Sequence, residues 1–305
     1  MKKTIICDGN NLGWMAFGIV PLSYEGKRVE AIYVGLNMIR SYLREFEPDE
    51  FYLVWDGGRD PSRLALYPDY KKRIKEPTMA EMKERSNFFD QLRELQDVMT
   101  SLGVIQYRCK KREADDIIFN LTDESNAAEF IIVSTDKDFY QLLGHKENVV
   151  VYNPVKKQIV RAKDVEEKFG IPINYFIDFK ALAGDPSDRL PGIKGIGHKW
   201  AAWLVNNVLV EGQTYDKLTR GQIRAVNLLF DDLDTYGLMK KLIRLKHIKE
   251  EEMEKGKFED RPASLAELQE RGVAICEKYG FEKHQRSFPS FVRPFEMFWR
   301  KGENA

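Results

Sequence analysis

The chain has 305 residues, of which 43% are hydrophobic and 31% charged, so it can bury a full core and is not expected to be disordered. Lysine plus arginine and aspartate plus glutamate both number 48, so the net charge gives no indication of a nucleic-acid partner. The start MKKTIICDGNN lacks the apolar run of a secretory signal, and no segment approaches the ~18 apolar residues of a membrane helix. We therefore expect a cytoplasmic protein without a membrane partner.

Short apolar runs alternate with longer amphipathic stretches along the first part of the chain. Buried strands are predicted at 4–7, 51–55, 104–107, 130–134 and 149–152, and helices at 31–46 and 87–102. The alternation of strands and helices predicts an α/β fold whose central sheet is mostly parallel, with helices on both faces. In such sheets the carboxyl ends of the strands carry the loops that form a binding site.

The strand pattern ends near residue 162, and the rest of the chain has helical periodicity. Helices are predicted at 164–169, 172–183, 198–208, 225–246 and 265–279, with the polar stretch 249–261 as a surface connection. These changes predict a core over 1–162, a helical region over 163–246 and a C-terminal extension over 247–305. The Phe-rich segment 288–299 is expected to pack against the protein, although a partner-binding peptide is the alternative.

Carboxylates follow three of the predicted strands directly. Asp8 ends the first, Asp56 the second, and Asp136 and Asp138 follow the run FIIVS. A carboxylate at the end of a buried strand is held by a rigid element, as metal binding requires. A helix cap or a polar turn is the structural alternative for each of them.

Further carboxylates lie at one helix start and in one loop. Glu113, Asp115 and Asp116 open a predicted helix, where the helix dipole alone would favour acidic residues. Asp185 and Asp188 lie in the loop GDPSD, which would otherwise be an ordinary turn. So many like charges would repel one another unless cations neutralised them.

Oxygen ligands favour Mg²⁺ or Mn²⁺ over Zn²⁺, and two such ions form the usual apparatus for phosphodiester hydrolysis. The three cysteines lie far apart without a C-x-x-C pair, which disfavours disulfide, zinc and redox chemistry. The sequence therefore predicts a metal-dependent hydrolase that acts on nucleic acid.

Basic residues and glycines form two candidate DNA contacts. In the turn PGIKGIG, Gly192, Gly195 and Gly197 would let backbone amides approach a phosphate, with Lys194 and Lys199 as additional cations. A dinucleotide-binding loop is disfavoured, because this turn joins two helices late in the chain. The second contact is the run that contains Lys71, Lys72, Arg73 and Lys75, for which a solvated, mobile loop is the alternative.

Several motifs in order resemble the 5′ nuclease family, which includes flap endonucleases, phage 5′-3′ exonucleases and the 5′-nuclease domain of bacterial DNA polymerase I. They are DGNN at Asp8, Asp56 after a strand, Tyr70-Lys71, EADD at Glu113, STDKD at Ser134, and the long block from Gly184 to Lys199. The resemblance spans roughly residues 4–204. It implies a PIN-like or resolvase-like fold.

The resemblance also implies roles for individual residues. One metal set would comprise Asp8, Asp56, Glu113, Asp115 and Asp116, with Asp8 and Asp115 holding the catalytic ion, and a second set would comprise Asp136, Asp138, Asp185 and Asp188. A helix-three-turn-helix at about 184–208 would grip duplex DNA and hold a potassium ion. A helical arch at about 70–88 would carry Lys71 to the scissile phosphate. The family's Tyr-Lys-x-x-Arg pattern places Ile74 where arginine is expected, so Arg73 and Lys75 are the alternatives for that role.

The expected function is flap endonuclease and 5′-3′ exonuclease activity on flap, nicked or 5′-ended DNA, including RNA·DNA in primer removal. Replication proteins are expected partners of a monomer, which would act in the host-cell cytoplasm if a phage encodes it. A PIN-type ribonuclease, a phosphatase with an Asp nucleophile and a non-catalytic branched-DNA binding module are the alternatives. The Gly-rich turn disfavours the first, and Asp8-Gly9-Asn10 after the first strand disfavours the second. The complete carboxylate set disfavours the third.

Overall fold

The computed structural model describes residues 2–72, 75–123, 128–144, 147–212 and 218–303. The strands in these ranges are β1 (Lys2–Asp8), β2 (Ser23–Tyr24), β3 (Lys27–Arg28), β4 (Glu50–Val54), β5 (Ile105–Tyr107), β6 (Ala128–Val133), β7 (Val149–Asn153), β8 (Gln158–Val160) and β9 (Lys257–Phe258). The α-helices are α1 (Gly9–Ala16), α2 (Glu30–Phe46), α3 (Pro61–Leu66), α4 (Met79–Ser101), α5 (Ala114–Asp123), α6 (Ala162–Phe169), α7 (Phe176–Ala183), α8 (His198–Leu204), α9 (Arg220–Asp231), α10 (Leu233–Ile243), α11 (Glu250–Gly256), α12 (Leu265–Lys278), α13 (Glu282–Arg286) and α14 (Phe288–Glu303). Short 3₁₀ helices occupy Asp138–Leu142 and Ile173–Tyr175, and the π-helix Val205–Val210 continues α8.

The chain forms two compact units, each built from separate stretches of sequence. Unit 1 comprises Met1–Gly58, Glu76–Thr135 and His247–Ala305, and unit 2 comprises Arg59–Lys75 and Asp136–Lys246. The contiguous division at residues 162 and 246 stays a prediction. No helix within the described ranges is long and apolar enough to cross a membrane.

Unit 1 contains a mostly parallel sheet in which the strands follow the order β6-β1-β4-β5-β9. β1 pairs in parallel with β4 and β6, β4 pairs in parallel with β5, and only β9 is antiparallel to its neighbour. The central strands are mainly apolar where helices cover them, and both α1 and α5 pack on β1 and β4. The predicted α/β class is therefore confirmed. Because β1, β4 and β6 are parallel, their carboxyl ends lie at the same edge of the sheet.

The helical layer of unit 1 differs from the prediction at the start of α4. This helix begins at Met79, under a capping box in which Thr78 and Glu81 bond each other's backbone amides, and not near residue 87. Residues 79–86 are exposed and polar, so they lack the apolar periodicity by which a helix is recognised. The capping box formed by Thr78 and Glu81 was the sequence feature that could have indicated the start of this helix.

The polar stretch 249–261 was wrongly predicted to be a surface connection. It forms α11 and β9, and β9 pairs with β5 at Gln106 and Tyr107. Met253 is buried, and the backbone amide of Arg108 donates to the Gly256 carbonyl over 2.8 Å. A single buried methionine among charged residues is too little apolar content to reveal a packed helix.

The Phe-rich C-terminal segment packs inside unit 1, as expected. Phe291 and Phe295 of α14 are fully buried, and α14 contacts α2 and α12. Arg40 of α2 donates to the backbone carbonyls of Ser290 and Phe291. The residues of this segment that face α2 therefore belong to the core.

Unit 2 comprises the hairpin β7-β8 and a group of helices. The segment 149–152 was correctly predicted as a strand, but its antiparallel partner β8 was missed. The helix predicted over 225–246 is in fact two helices, α9 and α10, because the backbone leaves the helical conformation at Asp232. Helix α7 packs against α8 and α10, and Tyr70, Ala181, Leu190, Met239, Leu242 and Ile243 form a buried apolar cluster.

The end of β4 requires glycine at position 57. A Cβ atom there would lie 1.7 Å from the Cys109 carbonyl oxygen, while Gly57 exchanges backbone hydrogen bonds with Arg112 and Lys111. We predict that Gly57→Ala lowers the free energy of unfolding by at least ~2 kcal/mol, because backbone has to move. Gly237→Ala is the matched control, since nothing lies within 4 Å of its Cβ position. In the interior of α10 it should raise stability by ~0.5–1 kcal/mol. Urea unfolding of both variants tests this, and equal stability of Gly57→Ala and wild type would contradict it.

Candidate active site

Asp8 lies at the end of β1 and also caps α1. Its Oδ1 accepts a hydrogen bond from the Asn11 amide over 3.0 Å, and its Oδ2 accepts one from the Ser134 hydroxyl over 3.1 Å. The structural alternative of a helix cap is therefore correct for Asp8. A carboxylate can accept several hydrogen bonds and bind a cation at the same time, so the capping role does not exclude a role as a metal ligand. Burial, together with the Asp8 charge, raises the pKa of the Cys7 thiol well above its usual range, which keeps that thiol protonated.

The asparagines that follow Asp8 connect the ends of three strands. Asn10 Oδ1 accepts a hydrogen bond from the Asp56 amide over 3.1 Å, after β4. Asn11 exchanges two hydrogen bonds with Thr135, after β6, over 2.7 and 3.1 Å. These asparagines belong to the DGNN motif, and no role was predicted for them from the sequence. A side-chain amide offers a donor and an acceptor together, which suits such bridging.

Asp56 joins the end of β4 to the first turn of α5. Its Oδ1 accepts a hydrogen bond from the Ala114 amide over 2.9 Å. Glu113 and Asp116 are 5% and 1% exposed, and Asp115 is half-buried. Asp8 and Asp56 are thus held by backbone and hydroxyl donors at one edge of the sheet.

Lys180 connects two of the carboxylates of unit 2. Its ammonium group bonds Asp138 and lies 2.6 Å from Asp185 Oδ2, and the side chain is almost buried. Burial opposes its charge, but the two carboxylates raise the pKa of Lys180 above its usual range. Burial also works against ionised Asp185, yet Lys180 and Ser187 hold the pKa of Asp185 at about 2. No role was predicted for Lys180 from the sequence, although a lone lysine inside the mainly apolar helix FIDFKALA was an indication.

Asp188 is the second point at which a lysine meets a carboxylate. Lys71 Nζ lies 3.6 Å from Asp188 Oδ2, the Tyr70 hydroxyl donates to the same oxygen over 3.4 Å, and the Lys71 amide donates to the Asp188 carbonyl over 3.1 Å. Burial raises the pKa of Asp188 to about 6; Lys71 opposes this rise, and Asp138 and Asp185 add to it. That rise corresponds to roughly 3 kcal/mol against the ionised form. Burial is thus the main cause of the rise, and Lys71 offsets it only in part.

A buried arginine fixes the segment that carries Lys71. Arg63 is 1% exposed, and its guanidinium donates to the carbonyls of Leu242 and Arg244, each over 3.1 Å. Lys246 donates to Asp60, which caps α3, over 3.1 Å. These bonds attach α3 to the end of α10. No role was predicted from the sequence for either Asp60 or Arg63.

The predicted arch is described only in part. Arg73 and Ile74, and with them the question of which residue takes the arginine role, lie outside the described residues. Tyr70 is buried in the apolar cluster of unit 2, whereas Lys72 and Lys75 are exposed. Lys72 pairs with Asp69 over 3.0 Å.

The Gly-rich turn contains one buried and two exposed glycines. Gly192 has φ +63° and packs against the backbone of Gly184, where a Cβ atom would lie 2.4 Å from the Gly184 nitrogen. Gly195, with φ +92°, and Gly197 are exposed. Lys194 and Lys199 are exposed as well. The turn thus presents two glycines and two lysines at the surface, while Gly192 serves its packing.

Within the described ranges, no three or more His, Cys, Asp or Glu side chains stand together as a preformed metal site. In unit 2 the observed partners explain this, because Lys180 and Lys71 occupy the space beside the carboxylates. The members of the two predicted metal sets divide between the two units: Asp8, Asp56, Glu113, Asp115 and Asp116 in unit 1, and Asp136, Asp138, Asp185 and Asp188 in unit 2.

Residues 3–170 match the family model described as 5′-3′ exonuclease, N-terminal resolvase-like domain. The chain is 32% identical over 251 residues to the flap endonuclease Xni of Shewanella sp. (strain MR-4), a match that covers 80% of this chain and 90% of that protein. It belongs to the 5′ nuclease family. Membership makes it a nuclease, and the flap endonuclease relatives identify it as a structure-specific 5′ nuclease.

Two further similarities agree with this assignment. The 5′ nuclease is 31% identical over 210 residues to DNA polymerase I of Bacillus subtilis, a match that covers 67% of this chain and 23% of the polymerase. Its fold is similar to the bacteriophage T5 D15 flap endonuclease in a pseudo-enzyme-product complex with DNA and metal ions, with a TM-score of 0.64 and 18% identity over 99% of this chain and 100% of that one. At that identity the second similarity supports the fold alone.

Proposed function

We propose that this 5′ nuclease hydrolyses DNA phosphodiesters near 5′ ends and single-strand/double-strand junctions, using two divalent ions. Its substrates are flap, nicked and 5′-ended duplexes. It also cleaves RNA·DNA hybrids, which is the activity that primer removal requires. The supporting observation is the group of carboxylates in unit 2, where three carboxylates face two lysines: Asp138 and Asp185 share Lys180, and Asp188 lies 3.6 Å from Lys71. Excess negative charge of this kind calls for further cations.

The donor chemistry fits Mg²⁺ or Mn²⁺. The candidate ligands are carboxylate oxygens, and the thiol of Cys7, which precedes Asp8 in the chain, stays protonated. We assign one ion to Asp8, Asp56, Glu113, Asp115 and Asp116, and the other to Asp136, Asp138, Asp185 and Asp188. When bound, such ions activate water as a nucleophile and neutralise charge on the phosphate.

The chain's own residues orient these ligands. Ser134 and the Asn11 amide fix the Asp8 carboxylate, and the Ala114 amide fixes Asp56. Ligands whose directions are set before substrate binds lose little conformational entropy on binding. Lys180 holds Asp138 and Asp185 together in the same way.

DNA binding is assigned to the exposed surface residues Gly195, Gly197, Lys194 and Lys199 of the helix-three-turn-helix and to Lys72, Arg73 and Lys75 of the arch. Contacts of lysine and backbone amides with phosphate carry no base information, so binding would be independent of sequence and sensitive to salt. A potassium ion in the Gly-rich turn and a monomeric enzyme complete the proposal.

Cleavage of 5′-labelled flap, nicked, gapped and RNA·DNA substrates tests the proposed function. We expect cleavage with Mg²⁺ or Mn²⁺, none in EDTA, and a loss of a thousandfold or more in Asp8→Asn, since that change removes a ligand without removing volume. DNA binding should persist in Asp8→Asn, because one fewer negative charge faces the phosphates. Asp90→Asn, at an exposed position of α4, is the control. Full cleavage in EDTA, or wild-type rates in Asp8→Asn, would refute the two-ion proposal.

Lys71 is assigned to the scissile phosphate. Negative charge grows on the phosphate oxygens during hydrolysis, and a fixed cation stabilises that state more than the ground state. Lys71→Ala should therefore lose roughly a hundredfold in single-turnover rate while KM changes little. Lys72→Ala, which removes an exposed lysine assigned to DNA binding and not to the scissile phosphate, should lose less than about threefold in single-turnover rate at saturating DNA. Wild-type cleavage by Lys71→Ala alongside an inactive Asp8→Asn would reject the role of Lys71 and leave the metal assignment intact.

A further inference from the structure

The loop that carries Asp185 and Asp188 also presents an arginine toward the turn that carries Lys71. Asp185 and Leu190 exchange backbone hydrogen bonds over 2.7 and 2.8 Å, which closes the loop. Arg189 lies inside it with φ +60°, a left-handed conformation that favours glycine or asparagine over arginine. Its Nη1 donates to the Lys72 carbonyl over 3.1 Å.

The two turns hold each other reciprocally. Lys71 is also left-handed, with φ +51°, and its amide donates to the Asp188 carbonyl over 3.1 Å. One bond therefore runs from the Lys71 turn to the Asp188 loop, and another runs back from Arg189 to Lys72. Two non-glycine residues in strained conformations at one contact are typical of a functional site.

Most of the hydrogen-bonding capacity of Arg189 is uncommitted within the described residues. A guanidinium has five N–H donors in a planar fork, and here a single bond, to Lys72, is made and no carboxylate lies within ion-pair distance. The side chain is half-exposed. Its charge still helps to lower the pKa of Asp69, although Lys72 is the main cause of that shift. A bond to a carbonyl requires only one uncharged donor. The positive charge and the remaining donors of Arg189 are therefore suited to binding an anion.

We propose that Arg189 binds a phosphate of the DNA substrate beside Lys71, as a second, fork-shaped cation of the active site. The inference rests on the proposed role of Lys71, because the two residues are held together by the reciprocal bonds between their turns. Arg189 would take two non-bridging phosphate oxygens at once, which a lysine cannot do with the same geometry. It would thereby fix the orientation of the phosphate, while Lys71 supplies a point charge.

Arg189→Asn tests this assignment with little risk to the fold. Asparagine accepts the left-handed conformation, but its side chain is too short to reach the Lys72 carbonyl, so the variant gives up that bond together with the charge. Arg189→Lys keeps the charge and removes the fork. Arg286→Asn is the control, since it removes the same charge from an exposed arginine that is ion-paired within α13. Equal melting temperatures would establish that the variants remain folded.

The decisive readout is the salt dependence of DNA binding, measured by anisotropy in EDTA so that no cleavage occurs. Loss of one phosphate contact should lower the slope of log K against log salt by about one. For Arg189→Asn we expect that decrease, with roughly tenfold weaker binding and a roughly tenfold lower single-turnover rate at saturating DNA. Arg189→Lys should recover the slope but only part of the rate. Arg286→Asn should match wild type in all three.

A wild-type slope and rate in Arg189→Asn would overturn the assignment. So would Arg189→Asn values that Arg286→Asn reproduces, because the effect would then be one of net charge. These results are separable from failure of the proposed function, which would appear as activity in Asp8→Asn. If Lys71→Ala were silent while Arg189→Asn lost both slope and rate, Arg189 alone would be the phosphate ligand.

Discussion

Repulsion between carboxylates is the constraint on which the rest of this structure depends. Two like charges ~4 Å apart repel by roughly 4 kcal/mol at an effective dielectric constant of 20, which is comparable to the stability of many domains. The two units stabilise their carboxylates in different ways. In unit 1, neutral donors from Asn11, Ser134 and Ala114 bond the carboxylates of Asp8 and Asp56. In unit 2, lysines supply charge directly: Lys180 pairs with Asp138 and Asp185, and Lys71 lies 3.6 Å from Asp188.

This arrangement links the architecture to the chemistry. Parallel strands bring Asp8, Asp56 and Thr135 to one edge of the sheet, and the Asn10 and Asn11 bridges tie those strand ends together. In unit 2 the buried Arg63 attaches the Lys71 segment to the end of α10. A cation that acts on a phosphate has to be fixed within a fraction of an ångström, and buried hydrogen bonds of this kind provide that precision.

The sequence predicted most reliably what depends on long apolar runs and on ordered motifs. The buried strands were recognisable because each contains a short run of mainly apolar residues, and the strand-end acids followed from them. Elements held by few apolar residues were missed: β8 and β9 are short, and α11 buries little more than Met253. The exposed first turns of α4 lack periodicity altogether. Pattern recognition requires several apolar residues in phase, and these elements do not have them.

The candidate site was predicted as a set of acids but not as a set of pairs. Lys180 pairs with Asp138, 42 residues away in the chain, and Arg63 donates to the Leu242 carbonyl, 179 residues away, so only the fold brings these partners together. Asp8 was weighed as a cap or a ligand, and the structure shows the cap. Gly192 was expected to serve phosphate, and it packs against Gly184 instead of lying at the surface.

The most direct test of the central claim is the number of Mn²⁺ ions that the protein binds, counted from the electron paramagnetic resonance of the free ion without DNA. The account predicts two ions on wild type and one on Asp8→Asn, whose carboxylate belongs to unit 1. Asp138→Asn, in unit 2, should also retain one. Asp90→Asn should keep both, because that side chain is exposed and belongs to neither metal set. If Asp8→Asn and Asp138→Asn bound as many ions as wild type, the carboxylates would not be the ligands and the account would be wrong.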